Sequence, residues 1–244
     1  MEYIGLFFIG LVAVTIGTLA GGGGLISLPA MLLIGIPVHA AVGASKISNT
    51  VSSLSTFMTV LLKKKISFKE LYWIVPVSLS GGLSGGFIAN RLSDNTMLAI
   101  ATVLLVVAFV FSFLSKGDFS GDAPLKPDKF TMPSLFGIGV YDGLFGPGQA
   151  TILLQIFGHL NISYIRAIGF VRVATFSSAF GAAIGYITSG NIIWPVAISL
   201  MLGSLAGARV GVHIAEKLDP RFVKPILRAV TLLLIVEIIV QNFL

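Results

Sequence analysis

The sequence is poor in charged residues and contains no cysteine. Only 11% of its 244 residues are charged, whereas a typical soluble domain carries about 25%. So few charges cannot cover a water-exposed surface, which excludes an ordinary soluble enzyme, a nucleic-acid-binding domain and a disordered chain. Without cysteine there is no disulfide, thiolate metal site or cysteine nucleophile. Three scattered histidines and ten acidic residues argue against a metal enzyme, so the sequence predicts no catalytic residue, no metal and no cofactor.

Long apolar runs fill most of the chain, which is 55% hydrophobic with a mean hydropathy of +0.97. A membrane-spanning helix needs about 20 mostly apolar residues. Six runs meet this length: 40–62, 71–90, 96–115, 164–188, 192–215 and 222–243. Two more runs, 3–37 and 132–161, are interrupted by glycine-rich breaks at 21–24 and 146–148. The sequence therefore predicts an all-α polytopic membrane protein, located in the cell (inner) membrane.

The two halves of the chain are similar to each other. A shift of 126 residues places several glycines of the first half on glycines of the second, and it places Lys46 on Arg172. A polar segment with two prolines, residues 116–131, lies between the halves. We predict an N-terminal repeat over 1–115, a linker over 116–131 and a C-terminal repeat over 132–244. Internal repeats of this kind are common in secondary transporters.

Loop charge distinguishes two topologies for these repeats. If each interrupted run crosses the membrane once, the loop lysines and arginines divide seven to six between the two sides. If each forms a re-entrant hairpin, twelve of the thirteen, all but Arg91, share one side. Cytoplasmic loops are enriched in lysine and arginine, so the hairpin topology is predicted. Each repeat is then a re-entrant hairpin plus three transmembrane helices. The repeats are inverted, the linker is cytoplasmic, and both termini are non-cytoplasmic.

A short helix is predicted after each break. Re-entrant backbone persists at membrane depth only where protein or a watery cavity surrounds it, so we expect the two breaks to meet. The free amides and the dipole of a helix N-terminus attract anions. The predicted substrate contacts at the breaks are Gly22, Gly23, Gly24, Leu25, Gly148, Gln149 and Ala150. Close helix packing is the alternative role of glycine, and it is the role predicted for the spaced pairs 82/86 and 203/207.

Polar side chains within two of the spans complete the predicted site. Lys46 and Asn49 share one face of the run 40–62, and Arg172 and Thr175 hold the equivalent positions of the second half. A basic residue inside a span is costly and indicates function. We therefore predict that Lys46 and Arg172 supply positive charge to an anion and that Asn49 and Thr175 orient it.

Asp142 precedes the second break and offers a second interpretation of the basic residues. It could form a structural ion pair with one of them, because buried charges are usually paired. It could instead carry a coupling proton, because burial can raise the pKa of a carboxyl group. Pairing with Lys46 or Arg172 is the favoured interpretation. At the shift of 126 residues the counterpart of Asp142 is Ile16.

Several stretches of the chain resemble a known family. They read GTLAGGGGLISLP over 17–29, GASK over 43–46, NT at 49–50 and GLFGPG over 143–148. These stretches are similar to those of the sulfite exporter TauE/SafE family of membrane proteins, and the likeness covers essentially the whole chain. The second break departs from the first, with Pro147 and Gln149 at the positions of Gly21 and Gly23. The resemblance implies transport of sulfite, organosulfonates or related sulfur-containing anions.

The predicted function is secondary transport of such an anion across the cell membrane by alternating access. An anion channel is the nearest alternative. An intramembrane enzyme is a less favoured alternative, because the sequence lacks a histidine- or aspartate-rich constellation and a recognisable nucleophile–base pair. A purely structural membrane component would leave the basic residues within the spans unexplained. The predicted partners are a small anionic substrate and the lipid bilayer, without nucleic acid. A coupling proton or cation and a homodimer are left open.

Overall fold

The computed structural model describes residues 2–20, 23–62, 66, 68–111, 113, 121, 124–215 and eight positions between 228 and 240. Within these stretches the chain is helical and has no strand, which confirms the all-α prediction for the described residues. Its helices there are α1 (Glu2–Ala20), α2 (Gly24–Leu33), α3 (Val38–Leu62), α4 (Phe68–Ala89), α5 (Asp94–Phe111), α6 (Thr131–Leu144), α7 (Gln149–His159), α8 (Tyr164–Thr188) and α9 (Trp194–Ala215).

Three of the described helices are long and apolar enough to cross a membrane: α4 over Glu70–Ala89, α8 over Tyr164–Thr188 and α9 over Trp194–Gly211. α3 has 25 residues but carries eight serine and threonine side chains. It packs against α8 and α9, and Lys46 and Ser48 are among its buried polar residues. Because neighbouring helices cover it, α3 can hold polar groups that a lipid-facing helix could not.

α2 and α7 are too short to cross a bilayer. They have 10 and 11 residues, or about 15–17 Å at the helical rise per residue, against about 30 Å of hydrocarbon core. Gly23, just before α2, lies against the backbone of Ala13 and Gly17 in α1. α2 therefore starts beside α1. In the same way α7 packs against α6, after a turn in which Gly148 has a φ of 84° that glycine adopts without steric penalty.

α4 runs parallel to α8. Gly82 lies against the backbone of Ser178, and Gly86 lies against Ala182 one turn further along both helices. α6 also packs along α4 in the parallel direction, because Gly81 of α4 touches Phe136 and Gly85 touches Val140 in the same sense. The glycines allow these close approaches, as the glycine spacing predicts.

α1 runs parallel to α9, with Phe7 against Gly203 and Leu11 against Gly207. α3 and α8, in contrast, cross in opposite directions. Gly43 near the start of α3 touches Tyr186 near the end of α8, while the ring of Phe57 stacks on that of Phe176.

We group the described helices by these contacts into two sets that do not follow the order of the chain, with α3 lying against both α9 and α8. α9 packs with α1 and α3, and α4 packs with α6 and α8. We call α1, α2, α3 and α9 the first bundle, and α4, α6, α7 and α8 the second bundle. The hydrophobic core divides in a similar way. The α9 residues lie in one cluster, which also includes Ala89 of α4 and Tyr186 of α8, and the other α4 residues lie in the cluster of α6 to α8. The two bundles meet where α3 crosses α8, and α5 touches both.

Replacing Gly203 with alanine should destabilise the first bundle. A Cβ atom there would overlap the carbonyl of Phe7, and such overpacking costs about 1–3 kcal/mol. We expect a lower thermal unfolding temperature for the detergent-solubilised protein. Gly137→Ala in α6 is the matched control, because a Cβ at Gly137 meets nothing within 4 Å. Equal unfolding temperatures for the two variants would contradict the packing described for α1 and α9.

Candidate functional site

The two breaks meet inside the protein. A Cβ atom on Gly24, the first residue of α2, would lie 3.3 Å from the Cα of Pro147 in the second break. The hydroxyl of Tyr141 donates a hydrogen bond to the carbonyl of Pro147 and holds the second break in place. The interrupted helices of the two halves are therefore brought into contact at their glycine-rich turns.

A buried ion pair lies at the second break. The Nζ of Lys46 in α3 is 2.9 Å from Oδ1 of Asp142 in α6, and both side chains are only 1% exposed. Lys46 also donates to the carbonyl of Phe145 at 3.2 Å. α6 ends at Leu144, and the last carbonyls of a helix lack helical partners, so Lys46 satisfies one of them. Gly146 packs directly against this pair, where any side chain would overlap it.

A chain of hydrogen bonds continues from the ion pair into α8. Ser178 donates to Oδ2 of Asp142 at 2.6 Å. The amide nitrogen of Gln149 donates to Ser178 at 3.2 Å, and Thr175 donates to the amide oxygen of Gln149 at 3.2 Å. Every member is buried. This polar network joins α3 of the first bundle to α6, α7 and α8 of the second.

Arg172 lies on the same face of α8 as Thr175 and Ser178, because positions three residues apart share a helix face. Its side chain is partly buried, yet it forms no hydrogen bond or ion pair within the described part of the chain. Asn49 of α3 is also partly buried. The two predicted basic residues thus differ: Lys46 is neutralised within the protein, whereas Arg172 has no described acidic partner.

The helix N-termini also differ in how their amides are used. At the start of α2, the first amides that donate to the turn are those of Ile26 and Ser27, which bond to the carbonyl of Gly23. The earlier amides of Gly24 and Leu25 precede the first helical bonds, as expected at an N-terminus. At α7, the amide of Gln149 already donates to the carbonyl of Gly146 at 3.0 Å. Among the described residues, the first turn of α2 thus uses the amides of Ile26 and Ser27, and the first turn of α7 uses the amide of Gln149.

The structure brings together several of the predicted site residues. Lys46, Gln149 and Thr175 belong to one network, Gly148 and Ala150 flank Gln149 at the start of α7, and Gly23, Gly24 and Leu25 form the start of α2. Gly22 lies outside the described residues.

The predicted set of site residues did not include Asp142 and Ser178, which connect Lys46 to the rest of the network. Ser178 lies three residues beyond Thr175, so the sequence already places it on the helix face that carries Arg172 and Thr175.

Comparison with known proteins identifies the family of the chain. The model of the family described as sulfite exporter TauE/SafE matches residues 6–238. The chain belongs to the sulfite exporter TauE/SafE family. This confirms the resemblance seen in the motifs. No solved structure shows a significant match to the chain.

Relatives over nearly the whole length are named as membrane transporters. A probable membrane transporter protein from Sinorhizobium is 29% identical over 96% of this chain and 91% of its own. A probable membrane transporter protein of Haemophilus influenzae is 28% identical, covering 90% of this chain and 88% of its own. The Escherichia coli protein YfcA, also called a probable membrane transporter protein, is 23% identical over 91% and 84%. The TauE/SafE chain described here therefore belongs to a family of membrane transporters.

In this TauE/SafE protein, polar contacts fasten α4 to α8 at both ends. At the N-terminal ends, Arg166 forms an ion pair with Glu70, and Glu70 also accepts a hydrogen bond from the linker amide of Leu125 at 3.2 Å. At the opposite ends, the side-chain oxygen of Asn90 accepts hydrogen bonds from Ser189 at 2.7 Å and Asn191 at 2.6 Å. The second bundle is thus held as one unit along the full length of α4.

The linker also sets the start of α6. The carboxylate of Asp128 accepts hydrogen bonds from the backbone amides of Thr131 and Phe130 at 2.6 and 2.8 Å. These bonds favour the ionised carboxylate and lower the pKa of Asp128. The carboxylate of Asp128 therefore occupies two amides at the start of α6.

Proposed function

We propose that the protein is a secondary transporter that moves a small sulfur-containing anion, such as sulfite or an organosulfonate, across the cell membrane by alternating access. The observation that carries this proposal is the unequal pairing of its two basic residues. Lys46 has Asp142, whereas Arg172 has no acidic partner among the described residues. A cation within a membrane span needs a counter-charge. An anionic substrate beside Arg172 supplies it.

The helix contacts explain why Arg172 lacks an acid. Phe7 of α1 packs on α9 as Phe136 of α6 packs on α4, and the next turns match in the same way. When α1 and α6 are aligned by these contacts, Ala13 takes the position of Asp142. The ungapped shift of 126 residues would place Ile16 there instead. The first half therefore has a methyl group, rather than a carboxylate, at the position that corresponds to Asp142. The planar guanidinium of arginine suits bidentate binding of an oxyanion.

The pattern of helix contacts supports two equivalent repeats. α1 packs on α9 as α6 packs on α4, and α9 packs on α3 as α4 packs on α8. If each helix is replaced by its counterpart in the other half, the same pairs of helices remain in contact. The opposite directions of α3 and α8, which occupy equivalent places in the two repeats, are those of inverted repeats.

The directions of α4 and α8 support the hairpin topology. With eight single crossings, α4 and α8 would traverse the membrane in opposite directions. With two re-entrant hairpins they would traverse it in the same direction, and their contacts are parallel. In this topology the ends of α4 and α8 at Glu70 and Arg166 face the cytoplasm, the loop at Asn191 does not, and both termini are non-cytoplasmic.

Cysteine labelling tests the topology directly, because the chain contains no cysteine of its own. Single cysteines at Asn95, Gly117 and Asn191 are probed in intact cells with a membrane-impermeant thiol reagent. In the hairpin topology Asn95→Cys and Asn191→Cys react from outside, and Gly117→Cys reacts only after the membrane is opened. Labelling of Asn191→Cys together with Gly117→Cys would indicate eight crossings instead.

The division into two bundles supports the proposal of alternating access. The polar network is buried, so both faces of the membrane are shut off from it in this conformation. Rocking the first bundle against the second about the crossing of α3 and α8 would open the breaks to one side at a time. The bundles, rather than the sequence halves, are then the moving units, with α4 travelling with α6 to α8.

Flux into proteoliposomes tests transport itself. We expect saturable uptake of radiolabelled sulfite or methanesulfonate and accelerated exchange when unlabelled anion is present on the opposite side. Such counterflow requires a site that faces the two sides alternately. Flux that rises linearly with concentration and shows no counterflow would favour an anion channel, and the absence of flux for every sulfur-containing anion would refute the proposal.

A further inference from the structure

The ion pair between Lys46 and Asp142 spans the boundary of the two bundles. Lys46 belongs to the first bundle and Asp142 to the second, and both side chains are shielded from solvent. Neither charge can be left alone at membrane depth without a large desolvation penalty. Any motion of one bundle against the other that separates the pair must therefore provide each group with a replacement partner or remove its charge.

We propose that Asp142 takes up a proton when a dianionic substrate binds, so that Lys46 leaves Asp142 and pairs with the substrate. This inference rests on the proposed function. Before binding, the ion pair is neutral and Arg172 carries one positive charge. A monoanion balances Arg172 alone. The second negative charge of a dianion requires a second cation, and Lys46 becomes available only when Asp142 is neutralised. One proton therefore accompanies each dianion, and none accompanies a monoanion.

The surroundings of Asp142 fit this exchange. The titratable side chains that the structure places around it are Lys46 from α3, Tyr186 from α8 and its own neighbour Tyr141 on α6. α7 contributes the neutral amide of Gln149 through Ser178. The α4 residues nearest to Gly143, which follows Asp142, are the glycines 82, 85 and 86. Lys46 is thus the counter-charge that these elements give to Asp142, so its departure requires a proton.

Hydrogen-bonding partners are in place for the protonated acid. The carbonyl of Phe145 accepts from the same ammonium group as Asp142, so departure of Lys46 leaves that carbonyl close to the acid without a donor. The new O–H of Asp142 can donate there, while Ser178 continues to donate to Oδ2. The proton comes from water on the side to which the site is open. One O–H bond forms on Asp142, and no other covalent bond changes.

Proton entry measured during anion uptake tests the proposal. Proteoliposomes containing a pH-sensitive dye are given thiosulfate, a dianion, or methanesulfonate, a monoanion. With the unmodified protein we expect one proton to enter per thiosulfate and none per methanesulfonate, and we expect an inward proton gradient to concentrate thiosulfate only. Thiosulfate uptake without proton entry, or transport confined to monoanions, would overturn the coupling and leave the transporter proposal intact. Absence of flux for both anions would instead refute transport.

A neutral version of the pair provides a second measurement. In Lys46→Met combined with Asp142→Asn, neither a charge nor a proton acceptor remains, and the amide can still accept from Ser178. We expect thiosulfate-driven proton entry to disappear in this variant and to persist in Arg91→Ala, which changes an exposed loop residue. Proton entry that survives in the double variant would place the coupling group elsewhere and overturn the assignment to Asp142.

Discussion

Replacing Arg172 with alanine is expected to reduce anion flux by about 10- to 100-fold, since a hydrogen bond to a charged group contributes about 1.5–3 kcal/mol. Arg172 has no acidic partner among the described residues, so the substrate is the group that loses its counter-charge. The measurement is the initial rate of sulfite or methanesulfonate uptake into proteoliposomes at a concentration below saturation. Arg172→Lys keeps the charge but loses the planar fork, so its flux should lie between those of the alanine variant and the unmodified protein.

The same substitution should leave the protein as stable as before. Removing Arg172, which has no partner among the described residues, leaves no buried group without its partner. Removing Lys46, in contrast, leaves Asp142 unpaired. We therefore expect Arg172→Ala to unfold at an unchanged temperature in detergent, with Arg91→Ala as the control for both stability and flux. Unchanged flux in Arg172→Ala would contradict the site, and a large loss of stability would indicate that the arginine holds the fold instead.

Hydropathy predicts where the helices of the described residues lie, whereas most of the predicted run 222–243 lies outside the described residues. The apolar run 164–188 and helix α8 have the same limits, and the glycine-rich breaks fall between α1 and α2 and between α6 and α7. The pairing of Lys46 with Asp142 is also predictable, because a buried charge has few ways to avoid a large desolvation cost. In each case a single physical rule applies to a short stretch of sequence.

The neighbours of each helix are not predictable in this way. Hydropathy shows that α4 and α9 are apolar but carries no information about which helix covers them. α9 packs in the first bundle and α4 packs in the second. These positions depend on glycines that allow close contact with a particular helix, such as Gly203 against Phe7 of α1 and Gly85 against Val140 of α6.

The register of the proposed repeats differs from the ungapped shift for a related reason. If the repeats are equivalent as proposed, the helix contacts match Leu144, the end of α6, with Thr15, and α1 continues from there to Ala20. The ungapped shift of 126 residues pairs Asp142 with Ile16, whereas the helix contacts pair it with Ala13.

Loss of the Lys46 side chain is expected to have the largest effect on stability. In Lys46→Met, Asp142 stays 1% exposed with its charge unpaired, and breaking a buried pair in this way costs about 3–5 kcal/mol. The unfolding temperature in detergent should fall well below that of the unmodified protein. Adding Asp142→Asn should restore most of the loss, because the amide oxygen can accept from Ser178 and the amide nitrogen can donate to the carbonyl of Phe145.

This double variant separates the structural role of the pair from its role in transport. If the pair only holds the bundles together, restoring stability should restore the movement of every anion that the protein carries. If Lys46 also receives the substrate, a stable double variant still lacks the second cation, and its uptake of dianions should remain low while the protein unfolds at a nearly normal temperature. Restored stability together with full dianion uptake would show that the charge of Lys46 is needed for the fold alone.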